Sequence, residues 1–123
     1  MDKRLRDILV IDIETATQQK HLDQMSPALQ EHWLHKSQFI RNEDDHTPEE
    51  QFLERGGIYA EFGKVIVISV GVFHLDVNGE LALRVKSFWH HDEYELLKEF
   101  KSFLVEKFDP ETIRLCAHNG KEF

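Results

Sequence analysis

Apolar residues alternate with polar ones in several distinct rhythms along this chain. Residues 7 to 13, within "ILVIDIET", are dense in Ile, Leu and Val and predict a buried strand. A polar stretch from 16 to 62 follows and holds two helix starts. Ser26-Pro27 offers an N-cap and a first-turn proline ahead of Leu29, Trp33 and Leu34. Thr47-Pro48 does the same, with Glu50 placed to complete a capping box. The pair reads as a helical insertion, with a loop or hinge at Gly56-Gly57.

"KVIVISVGVFHL", 64 to 75, is the strongest strand signal, and "LALRVKSFW", 81 to 89, is another. Asn78-Gly79 between them favours a two-residue hairpin turn, so the two strands should run antiparallel. Asp92 and Glu95 predict a second capping box. Behind it Leu96, Leu97, Phe100, Phe103, Leu104 and Phe108 form one helical face fit to cover a sheet. Asp109-Pro110 ends that helix. "TIRLCA", 112 to 117, is a further short strand, and Asn119 can cap a helix after it. The order predicts a mixed α/β sheet in which a helix crosses back to a parallel strand.

At 123 residues the chain suits one small domain. Its net charge of -8 argues against a general nucleic-acid coat or an anionic membrane surface. An acidic site neutralised by divalent cations stays compatible with a nucleic-acid enzyme. Cys116 is the single cysteine, so no internal disulfide forms and a reducing, cytoplasmic location is expected. No apolar run approaches the roughly 20 residues of a membrane span.

Asp12 and Glu14 interrupt the first strand two residues apart. On a strand they face one side, roughly 6.5 to 7 Å apart. Like charges this close repel unless a cation or wide solvation compensates. Hard metal ions suit such oxygen ligands, and strand ends of this kind are where ligands gather in sheets with parallel strands. An Asp-x-Glu motif taken alone is also often just the solvated exit of a strand. "LCAHNGKEF" supplies a second constellation. If its strand lies parallel to the first, its end arrives beside Asp12. Asn119 would then cap a helix or hold a substrate backbone, while His118 reads as structural and Cys116 as core. Asp44-Asp45, His32, His35, His90 and His91 read as surface residues. Trp33, Phe39 and Tyr59 could stack on bases but read more simply as packing residues.

These segments resemble the DEDD exonucleases of the ribonuclease-H-like fold, in the branch related to the proofreading exonuclease of family B DNA polymerases. Asp12-Ile13-Glu14-Thr15 matches that family's first motif, Asp-x-Glu-Thr. "NGKEF", 119 to 123, matches the second, in which Asn, a few spacers and an aromatic lead into an Asp. "YAEFGKVIVISVG", 59 to 71, is similar to the second-strand segment of a bacterial group of 3'-5' exonucleases.

The resemblance implies a ribonuclease-H-like mixed sheet, strands one to four with a covering helix and an insertion over 16–62. It implies a C-terminally incomplete domain, because the second-motif Asp and the whole third motif have no counterpart in the sequence. Asp12 would bridge two Mg²⁺ or Mn²⁺ ions and Glu14 would bind one of them. Thr15 would contact the terminal nucleotide, Asn119 would help position the strand, and Phe123 would pack beside the second-motif acid. The implied partner is a single-stranded 3' end, DNA before RNA, and the implied reaction is release of nucleoside monophosphates. With two of four carboxylates, this chain alone is expected to be a poor enzyme.

Two other readings compete. A non-catalytic module would bind nucleic acid or associate with itself through an exposed sheet edge. A phosphatase with Asp12 as nucleophile would need a second Asp where Glu14 stands.

Overall fold

The computed structural model describes residues 1 to 120, so Phe123 lies outside the described residues. Two compact units divide the chain: Met1–Glu14 with the chain from Val65 onward, and Thr15–Lys64.

The first unit is a mixed α/β layer. A short helix α1 (Lys3–Arg6), capped by Asp2, leads into β1 (Ile8–Thr17). Strands β2 (Gly63–Leu75) and β3 (Leu81–Trp89) form an antiparallel hairpin. The sheet order is β3-β2-β1-β4, with β4 (Arg114–Cys116) parallel to β1. The predicted return of the helix to a parallel strand is therefore found. β4 is shorter than the expected 112–117, because Thr112 and Ile113 are held in the turn that follows Asp109.

Helix α4 (Glu93–Lys107 in chain order, after the two helices of the second unit) lies on one face of the sheet. Leu9, Ile68, Val70, Phe88 and Leu96 are buried there, with Ile11, Ile13, Phe100 and Phe103 packed around them. Phe103 stands 5.2 Å from Phe88, ring to ring. Two details of the helix differ from expectation. Leu97 is exposed rather than part of the buried stripe. Asp92 accepts from the Tyr94 N–H, and it is Glu93, not Glu95, that reaches out of the first turn, to the Val65 N–H at 2.5 Å.

The hairpin turn also differs. Asp76 N–H donates to the Glu80 carbonyl, so three residues rather than two form the loop. The Asp76 carboxylate accepts from the N–H groups of Asn78 and Glu80, and only Gly79 takes positive φ, at 79°. A two-residue type I′ turn would need positive φ at Asn78 as well. The Asp76 side chain instead favours a type I turn closed by a left-handed glycine.

The second unit holds α2 (Pro27–Ser37) and α3 (Pro48–Arg55). Both predicted starts are present: Ser26 accepts from the Leu29 N–H, and Thr47 and Glu50 form a capping box. Trp33 and Phe52 are wholly buried together with Phe62, Leu22 and Met25. Trp33 meets Phe62 edge-on at 5.0 Å, and its indole N–H donates to the Pro48 carbonyl at 2.8 Å. Leu34, predicted on the buried face, is exposed. Gly56 and Gly57 are no open loop: Gly56–Ile58 form a 3₁₀ turn in which Gly56 is buried. The Gln18 N–H donates to the Phe62 carbonyl at 2.8 Å, which sets the end of β1 beside the start of β2 and makes that pair antiparallel.

Among the described residues no helix is long and apolar enough to cross a membrane.

Candidate functional site

Residues on β1 alternate as their pattern requires. Leu9, Ile11 and Ile13 turn into the core, while Asp12 and Glu14 are exposed on the opposite face. Ile11 and Ile13, which flank Asp12 and precede Glu14, fix this alternation, since a slip of one residue would bury both charges.

The parallel pairing runs Ile8↔Arg114, Leu9↔Leu115 and Val10↔Cys116, and stops there. Past Val10, β1 has no β4 partner among the described residues. The chain leaves β4 in a turn over 117–120 instead. The result is an open cleft of about 660 Å³ at the sheet edge, lined by Ile11, Asp12, Ile13, Cys116, His118 and Gly120, among others. The cleft thus brings Asp12 together with Cys116 and His118 where the parallel pairing stops, as ligand sites in such sheets are gathered, while Glu14 and Asn119 are not among its lining residues.

Asn119 adopts φ of 54°, a left-handed conformation. An N-cap residue is extended, so Asn119 is not a helix N-cap here; Asn is one of the few side chains that tolerates this conformation. Cys116 is exposed, not core, because β4 is an edge strand whose three residues are all exposed. His118 is exposed too. Thr15 is half-buried and opens the second unit. Trp33 is wholly buried, and Tyr59 sits edge-on to it at 6.0 Å. Phe39, read as a packing residue, is 77% exposed and touches His35 edge-on.

The carboxylates fit a hard divalent cation in kind. Both are oxygen donors open to solvent, and among the described residues neither takes part in an ion pair. They fit it only in part by number, since no group of three or more His, Cys, Asp or Glu gathers among the described residues. A hydrated Mg²⁺ is commonly held by one or two carboxylates plus substrate phosphates, which is the arrangement this pair could supply. Compared with protein-family models, with curated proteins and with solved structures, the chain matches none.

Sequence reasoning missed the apolar lining of the cleft. Ile11, Ile13 and Ala117 enter it only because β4 stops at Cys116, a boundary that propensity does not mark. A second polar cluster also went unread. Lys36 Nζ lies 2.6 Å from a Glu61 carboxylate oxygen and 4.2 Å above the Tyr59 ring, and His32 Nε2 approaches the same oxygen at 3.4 Å. Lys36 beside Glu61 holds that carboxyl below its ordinary range. Lys36 and His32 are 25 or more residues from Glu61 in sequence, so no local pattern announces the pairing.

Proposed function

We propose that the chain carries metal-binding residues of a ribonuclease-H-like, metal-dependent 3'-5' exonuclease site acting on single-stranded nucleic-acid ends. One observation carries the reading: β1 and β4 are parallel neighbours, and the cleft at their carboxyl ends contains Asp12 beside the 117–120 turn. Asp12 and Ile13 of the Asp-x-Glu-Thr motif and His118 and Gly120, far apart in sequence, line that cleft together, which supports the reading.

In this reading Asp12 and Glu14 hold divalent cations from one strand face, with solvent access for a phosphodiester. Asp12 and Glu14 would hold the Mg²⁺ or Mn²⁺, which when bound would supply water activation and charge stabilisation for phosphodiester hydrolysis. The apolar lining at Ile11 and Ile13 would exclude water from one side of the scissile group. Asn119, on the turn, would help position the strand, and Thr15 would offer its backbone N–H to the terminal nucleotide. Two of the family's four carboxylates have no counterpart in these 123 residues, so metal binding is weak and turnover low for this chain alone. A cytoplasmic setting agrees with the unpaired Cys116.

Titration with Mn²⁺ followed by NMR tests the proposal. Paramagnetic broadening should centre on Asp12, Glu14 and the 115–120 amides and vanish in Asp12→Asn. Broadening spread evenly over the acidic surface, unchanged by that substitution, would discard it. A 3'-labelled single strand incubated with the same samples reads whatever mononucleotide release the chain supports.

A further inference from the structure

Among the described residues the β3 part of the sheet face opposite α4 is exposed, α1 reaching only its β1 side through Leu5. Register assigns it: Leu75 pairs with Leu81, Phe73 with Leu83 and Gly71 with Val85, all on the side away from Phe88. The Ser69 and Ser87 hydroxyls, 2.8 Å apart, mark the same side. Leu81, Leu83, Val85 and Trp89 are 53%, 46%, 64% and 67% exposed. An antiparallel hairpin commonly leaves one face to solvent, but that face is then polar; a contiguous apolar patch there marks an interaction surface. At these exposures the face presents on the order of 500 Å² of apolar surface, so two such faces would bury about 1,000 Å², the threshold for a specific pair.

Charge at the two ends of this face is opposite in sign. Asp12 and Glu14 stand within β1, beyond the last residue that pairs with β4. At the other end Arg114 pairs with Ile8, and its guanidinium donates to the Arg4 carbonyl of α1. The apolar centre between them carries no charge on β3, because Arg84 and Lys86 lie on the α4 side with Phe88. A surface that is apolar in its middle, acidic at one end and basic at the other is complementary to itself when reversed.

We propose that two copies of this chain pack these faces against each other, antiparallel about a two-fold axis across the strands. That operation lays Arg114 of each copy over the Asp12–Glu14 end of the other, and sets the two sheets at the roughly 10 Å spacing of a β-sandwich. The proposal stands apart from the exonuclease reading. If both hold, association and a divalent cation compete for the same two acids.

Sedimentation velocity of the 123-residue chain, from micromolar to near-millimolar concentration, tests it. A discrete monomer–dimer equilibrium is expected. Val85→Lys, a change at an exposed site in the middle of β3, should raise the dissociation constant at least about tenfold by burying an unpaired charge. Circular dichroism should show the fold kept. Arg114→Asp should weaken the dimer a few-fold, and adding Asp12→Arg in the same chain should restore it, a rescue that damage to the fold would not give. A monomer throughout the range overturns the proposal. So does open-ended growth, or a dimer that ignores Val85→Lys and the charge exchange but fails on Leu115→Pro, which would mean pairing through the β4 edge.

Discussion

Val10 is the register partner of Cys116, and Asp12 stands two residues further along β1, on the same strand face and at the mouth of the cleft beyond β4. The strand therefore carries two like charges where its neighbour has ended. Exposed like charges at this spacing oppose folding slightly. Asp12→Asn or Glu14→Gln should leave metal-free stability unchanged or raise it by up to ~0.5 kcal/mol. Urea denaturation reads this directly. A loss above ~1 kcal/mol would assign these acids a role in holding the fold.

Glu61 gives a pH dependence. Lys36 holds its carboxyl below the ordinary value of 4.5, with its own backbone N–H and His32 helping. A carboxylate so lowered stabilises the fold above its unfolded value, and that stabilisation is lost as pH falls from about there through the folded value. Both side chains are about a third exposed, so solvent screens the pair and its contribution is on the order of 1 kcal/mol or less. Lys36→Met should flatten the acid limb of a stability–pH curve, and the difference between variants should shrink at the lowest pH.

Trp33 anchors the second unit. It is 0% exposed, meets three aromatic rings and donates to the Pro48 carbonyl. Trp33→Ala should cost ~3–5 kcal/mol, enough to unfold a unit this small. Trp33→Phe keeps much of the volume but leaves that carbonyl without its donor, at ~1–3 kcal/mol. Limited proteolysis should then cut within 15–64 well before it cuts β2 and β3.

Gly63 is required for space rather than for φ. A Cβ there would overlap the Gly57 carbonyl oxygen and press on that of Tyr59 at 3.2 Å. These are backbone atoms that cannot swing aside. Gly63→Ala should destabilise by ~1–3 kcal/mol, measured by thermal denaturation. Gly79→Ala has nothing within 4 Å to meet, and its cost comes from positive φ alone.

The strands were legible where burial is two-sided or alternate: β3 has its expected bounds, and β2 differs by one residue. The length of β1 was not, because Asp12 and Glu14 look like a strand end while pairing with β2 carries it to Thr17. Capping residues at Ser26 and Thr47 were readable since their chemistry is local. The exposure of single apolar residues was not. Cys116 on the edge strand β4, Leu97 on α4 and Phe39 after α2 look like core by type, yet all three are exposed. The two acids were visible from their spacing, and the meeting of Asp12 with His118 depended on a parallel register that only the fold supplies. Asn119 was read as a helix cap, and its left-handed φ serves a turn instead.

The three-residue hairpin loop has a practical use. Asp76 alone organises it, Gly79 has open space around it, and Val77 is fully exposed at its tip. Neither hydrophobic cluster draws a residue from 76–80. A spectroscopic label carried on Val77 would therefore report on the open sheet face from its rim without disturbing either core, and a short affinity tag inserted there should be tolerated as insertions at exposed loop tips usually are.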